Sequence, residues 1–173
     1  MDKNATAIET YGWYKDYFDR MKIPYIEETE SNIIWVVLPI DNKMQKIKMA
    51  VLCRDNYISV NAFVPYNADE EVRQNVADYI ARASHSMVHG NFKLNLKNGE
   101  VFFKLTLNCE ERSSLSDGLL GRTFTLPHMV LEKYGDGLLA VMFGLKSPEE
   151  AIDFAEYVDD EDEGCCCFDH DDD

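Results

Sequence analysis

Apolar side chains recur at steps of four, three, four and three from Ala7 through Tyr11, Tyr14 and Phe18 to Met21. That spacing predicts an amphipathic helix over 4–22 with an aromatic-rich face, ended by Pro24. The period then changes. Ile33 to Leu38, Ile47 to Cys53 and Tyr57 to Val64 are rich in β-branched and aromatic residues and read as three antiparallel strands. Their links contain Ser31-Asn32, Asp41-Asn42 and Asp55-Asn56, pairs that favour turns. A short extra strand is possible at 25–28. Helical spacing returns at Val72, Val76, Ile80, Ala83 and Met87, with Asn67 as the expected cap, Glu70 three residues on, and Gly90 as the stop.

Residues 91–109, NFKLNLKNGEVFFKLTLNC, alternate apolar and polar on both sides of Asn98-Gly99. Asn-Gly is the preferred pair for a two-residue type I′ turn. That turn would set Lys97 opposite Glu100, Leu96 opposite Val101, Leu94 opposite Phe103 and Phe92 opposite Leu105, so the apolar residues would share one face. It would also set Lys93 against Lys104. Ser116-Asp117 can open a third helical region, which Pro127 is expected to kink or split and Gly135-Asp136-Gly137 to break before a short helix over 138–143. Ser147-Pro148-Glu149-Glu150 is a complete helix start: cap, proline at the first position, and a closing glutamate. The order is α-β-β-β-α-β-β-α, an α+β domain with helices packed on an antiparallel sheet of about five strands.

Charge divides the 173 residues into two parts. From Glu156 to Asp173 there are ten acidic residues and no Lys or Arg; the rest carries 22 acids against 17 bases. Residues 1–157 are therefore expected to form the domain, and 158–173 a disordered acidic tail that also carries cysteines. An acidic body with a more acidic tail argues against a nucleic-acid partner. The longest apolar run, residues 33–40, is too short for a membrane span. With no secretory pattern at the start, a cytoplasmic protein without membrane contact is expected. Five cysteines without framework spacing suit a reducing compartment.

Two segments carry a family resemblance: SHSMVHGNFKLNLKNGEVFFKLTLNC at 84–109, preceded by YISVNAFVP, and YGDGLLAVMFGLKSPEEAI at 134–152. They resemble the YbjN family over roughly residues 5–155. The resemblance implies a fold like that of the small type III secretion chaperones. It also implies a role in bacterial sensory-transduction regulation through protein binding rather than catalysis. The Gly- and Pro-containing third helix and the cysteine-bearing tail depart from the family pattern.

No residue constellation points to catalysis. His85 and His89 have the i, i+4 spacing of two metal ligands on one helix face, but Ser86 stands where a zinc protease needs Glu. Surface or helix-end roles explain them, and His128, more simply. Cys109 lies beside Glu110 and Glu111, which oppose thiolate formation; Cys53, in an apolar strand, reads as a small buried hydrophobe. The glycine pairs at 118 and 121 and at 135 and 137 match no phosphate loop. Cys165, Cys166, Cys167 and His170 could together capture a soft cation, although consecutive cysteines close a tetrahedral site poorly. Tyr11, Trp13, Tyr14 and Tyr17 are either core with partly exposed tyrosines or a partner surface.

The expectation is a non-enzymatic protein-binding or chaperone-like module without cofactor, acting on an unidentified protein partner, with homodimerisation plausible. The alternative is a metal-binding or redox-responsive protein that uses the C-terminal Cys/His/Asp segment.

Overall fold

Thr6 opens the first helix: its hydroxyl accepts from the Glu9 amide while the Glu9 carboxylate accepts from the Thr6 amide, a closed capping box. Helix α1 (Ala7–Met21) ends at Lys22 in the left-handed conformation. In the computed structural model, which describes residues 6–85, 87–110 and 114–157, α1 is followed by strands β1 (Ile26–Glu28), β2 (Ile33–Pro39), β3 (Lys46–Arg54) and β4 (Tyr57–Asn67). Helix α2 (Arg73–Ser84), strands β5 (Asn91–Leu94) and β6 (Glu100–Asn108), and helices α3 (Asp117–Met142) and α4 (Pro148–Tyr157) complete the chain order. The sheet runs β1-β2-β3-β4-β6-β5, antiparallel throughout. The expected α+β architecture holds, with six strands because the segment at 26–28 pairs with β2.

Strand alternation separates two faces. Ile34, Val36, Ile47, Met49, Val51, Ile58, Val60, Val101 and Phe103 point under the helices and are buried. α1 covers β2, β3 and β4; α3 crosses β4 and β6; α2 packs on β5; α4 packs on α2 and α3.

The hairpin keeps its faces but shifts its register by two residues. Phe92 lies opposite Phe103 and Leu94 opposite Val101, because the loop is longer than two residues. Asn95 N–H donates to Glu100 O at 2.9 Å and Gly99 N–H to Asn95 O at 2.8 Å. Asn98 has no positive φ, so the expected type I′ turn does not form; its side chain accepts from the Glu100 amide instead. Tertiary contact decides the outcome. Gly99, at φ 75°, accepts from the Ala68 amide at 2.8 Å, and a side chain there would strike the Ala68 backbone. Arg73 donates to Ala68 O and Leu96 O, tying the start of α2 to the loop. A shift of two preserves face parity and sets Lys93 against Phe102, not Lys104.

α2 is shorter than expected at both ends. Asn67 stays in β4 opposite Glu100, and a 3-10 turn at Glu70–Val72 precedes the helix. The end comes at Ser84, not Gly90.

The third helix is where the sequence misleads most. α3 runs unbroken for 26 residues through Pro127, Gly135 and Gly137. The glycines are approach points for other elements. A Cβ at Gly135 would stand 2.6 Å from Asn42 Nδ2, and one at Gly137 2.5 Å from Tyr79 Oη and 2.9 Å from Ala151 O. The β2–β3 loop clamps the same stretch: Asn42 donates to Leu131 O at 2.8 Å, and the Lys43 amide to Asp136 at 2.8 Å. Two fully buried tyrosines finish the anchoring, Tyr14 donating to Leu120 O and Tyr79 to Tyr134 O. These contacts hold the helix continuous where local propensity would break it. α4 starts as expected, with Ser147 and Glu150 exchanging cap bonds.

Candidate functional site

The sequence candidates scatter. Tyr14 is fully buried, Tyr11 and Tyr17 nearly so, and Trp13 is half-buried against the core. The partner surface built on those four rings is therefore corrected: three of them make the core under α1. Tyr11 also bonds the Glu27 carboxylate at 2.9 Å, and Lys15 bonds the same oxygen at 3.0 Å. The Lys15 and Tyr11 bonds hold Glu27 below the usual carboxylate value.

His85 and His89 do not share a helix face, because α2 has ended by Ser84; both are exposed. His128 bonds Pro39 O at 2.8 Å and fastens β2 to α3. Cys53 and Cys109 are both buried at 0% exposure, and burial pushes the Cys53 thiol up to about 12. Among the described residues no three His, Cys, Asp or Glu cluster as metal ligands. Cys165, Cys166, Cys167 and His170 lie outside the described residues.

Two surfaces have chemistry that the core does not explain. The first is at the free end of β6. Asn95 donates to Glu100 O across the hairpin, so the main-chain groups of Glu100 and every second residue after it point toward β5. β5 reaches only to Asn91, opposite Lys104. Beyond that point Thr106 and Asn108 direct their N–H and C=O groups past the end of β5. Beside this edge lies a cleft of about 500 Å³ between β6 and the first half of α3. Leu105 and Leu107 form one wall and Leu119, Leu126 and Met129 the other, with Arg122 among the polar lining. Met129 is 59% exposed and Val88, next to the cleft residue His89, is 86% exposed.

The second surface is the face of the sheet opposite the helices. The cross-strand row Val37, Lys48, Phe63, Phe102, Lys93 runs over β2, β3, β4, β6 and β5. The Phe63 and Phe102 rings lie 5.3 Å apart and the Trp35 and Phe63 rings 6.0 Å apart, both pairs tilted, and Lys48 Nζ lies 3.8 Å over the Trp35 ring. By alternation Lys46, Lys48, Arg54, Lys93 and Lys104 share this face with the acids Glu28 and Glu100. It is basic in a chain of net charge −15.

Sequence reasoning missed both surfaces. Each depends on β6 lying between β4 and β5, and no local pattern encodes that order. The one available signal was the run of lysines at alternate positions, 46 and 48 and again 93, which places them together on the polar side of their strands.

This architecture has a counterpart among solved structures. A crystal structure of YbjN from E. coli, described as a candidate transcription regulator, superposes with a TM-score of 0.51 at 9% sequence identity, covering 70% of this chain and 88% of that one. The fold is YbjN-like. At that identity the likeness extends to the fold alone. No family model matches the chain, and no curated protein is similar to it in sequence. None of the described helices is long and apolar enough to cross a membrane.

Proposed function

We propose that this YbjN-like domain is a non-enzymatic, protein-binding regulatory module, and that it holds an extended segment of a partner protein in the cleft beside β6. The observation that carries this reading is that Thr106 and Asn108 have no β5 residue opposite them among the described residues, and that an apolar cleft of about 500 Å³ lies beside them. Strand addition draws affinity from main-chain hydrogen bonds and specificity from pockets for alternate side chains. Here the edge supplies the former. Leu107, Leu126 and Met129 supply the latter. Arg122, exposed at the cleft, would favour an acidic residue in the bound segment.

A library of displayed peptides selected on the full chain tests the reading. Extended apolar ligands are expected, with binding lost in Thr106→Pro, which removes an outward N–H, and in Met129→Glu. Lys48→Glu, on the opposite face of the sheet, should leave binding unchanged. Failure to select a ligand, or ligands indifferent to Thr106 and Met129, overturns the proposal. A dimer mass in solution that Thr106→Pro abolishes would assign the cleft to a second copy of the chain and overturn it as well.

A further inference from the structure

We propose that the acid-rich segment 158–173 of this same chain docks on the sheet face opposite the helices, with its apolar run Cys165–Phe168 lying across Phe63 and Phe102. The inference is independent of what the β6 cleft binds.

Charge is the first argument. The face carries four lysines and Arg54 against two acids, whereas residues 158–173 hold nine acids and no Lys or Arg. Arg54 is already committed to Ser31 O and Cys53 O, which leaves the cations Lys46, Lys93 and Lys104, together with Lys48 over the Trp35 ring, to meet the acids of the segment.

The order of residues is the second. Along the segment, acids at 159–163 and 169–173 flank Cys165-Cys166-Cys167-Phe168. Across the sheet, Lys48 and Lys93 flank Phe63 and Phe102 in one cross-strand row. Strands are spaced at about 4.8 Å, so Lys48 and Lys93 are about 14 Å apart at Cα. Four extended residues span about 13 Å, which fits the apolar run between the two cations. The flanking Glu163 and Asp169 then fall within reach of the flexible lysine side chains, and Phe168 adds to the existing row of tilted rings Trp35, Phe63 and Phe102.

Reach is the third. From Tyr157, where α4 ends, to Cys165 is eight residues, which extend to about 27 Å, enough to bring the apolar run to Lys93 on β5, the nearest strand of that face. α4, from which the segment departs, packs against α2 and α3 on the β5–β6 half of the sheet, so the path leads round the β5 edge. A short tether keeps the effective concentration in the millimolar range, which makes weak, screened ion pairs sufficient.

A nitroxide on Cys166 of the full chain, with Cys165→Ser and Cys167→Ser, tests the assignment. Cys53 and Cys109 are buried and stay unlabelled. Paramagnetic broadening should concentrate on the amides of Phe63, Phe102 and Lys104. It should be lost in Lys48→Glu/Lys93→Glu, and equally when Glu163→Gln, Asp169→Asn and Asp171→Asn are made in the tail, where no described contact is disturbed. Broadening on the helical face, broadening unchanged by the tail substitutions, or its absence overturns the proposal. So does broadening transferred from spin-labelled to separate isotope-labelled chains, which would make the contact intermolecular. Single-stranded oligothymidylate that binds the native chain as tightly as the tail-neutralised one would show the face to be uncovered, and overturns it too.

Discussion

Two glycines in two helices have opposite reasons to be there. Nothing stands within 4 Å of a Cβ built on Gly12 in α1, whereas one on Gly137 in α3 would stand 2.5 Å from Tyr79 Oη. Gly12→Ala removes only the entropic penalty of glycine in a helix and should stabilise the protein by about 0.5–1 kcal/mol. Gly137→Ala must push Tyr79 off its bond to Tyr134 O and should destabilise it by about 2–3 kcal/mol through overpacking and loss of that bond. Urea midpoints of the two variants, moving in opposite directions, check both. Titration is a further test at this scale. Burial raises the Cys53 thiol to about 12, and burial also raises the hydroxyls of Tyr14 and Tyr79 well above their ordinary value. Each group stays protonated in the fold while the unfolded chain releases its proton, so their stabilising contribution is complete below the unfolded pKa. It falls as pH rises toward the folded one, by about 1.4 kcal/mol per pH unit for each group in its window. Stability should therefore decline from about pH 9, the thiol first and the tyrosines from about pH 10. Cys53→Ala should flatten the first part of that decline in urea titrations at pH 7, 9 and 10. A slope between pH 9 and 10 equal to that of the native chain would contradict this reading of Cys53.

At the scale of elements, α3 shows where local sequence information stops. Its cap at Ser116 and its apolar positions Leu120, Phe124 and Tyr134 were readable from spacing. Its continuity was not, because Asn42, Tyr79 and Ala151, which close on Gly135 and Gly137, come from three other parts of the chain. The hairpin divides the same way. Its apolar face followed from alternation, but its register was set by Ala68 and Arg73 docking on the loop. The candidate surfaces were less legible still: they arise from the neighbour order of strands far apart in the chain, and of the two readings open for the α1 aromatics, core and partner surface, burial of Tyr11, Tyr14 and Tyr17 favours core. Pro127 offers a test of continuity. It lacks the N–H that would bond Thr123 O, a loss of about 3 kcal/mol in an ordinary helix interior. Pro127→Ala restores the donor and gives up some buried ring, so a net gain of about 1–2 kcal/mol is expected. A loss of stability in thermal or urea unfolding would mean that the proline ring, not the missing bond, dominates at that site.

At the scale of the whole molecule, one core joins every helix to the sheet. Tyr14 and Phe18 of α1, Tyr79 of α2, Leu131 and Leu138 of α3, Ala151 of α4 and the inward residues of β2, β3, β4 and β6 belong to a single buried cluster. α1 and α3 meet through Tyr14 on Leu120 O and through the Phe18–Phe124 ring pair at 4.8 Å, although they are separated by most of the chain. Such a core gives no element an independent reason to persist, and a domain of this size should unfold in one step. Two tryptophans report from opposite sides of the sheet: Trp13 on α1 packs against the core, and Trp35 lies on the outer face under Lys48. Trp13→Phe and Trp35→Phe variants therefore each leave one local probe. Fluorescence of either variant should give the same urea midpoint as far-UV circular dichroism of that variant. The dominance of long-range strand pairs, β4 with β6 above all, should make refolding slow, in the millisecond-to-second range. An earlier transition seen by Trp13 alone would mean that α1 detaches before the sheet melts, and that the Tyr14 and Phe18 contacts do not bind α1 into the cooperative unit.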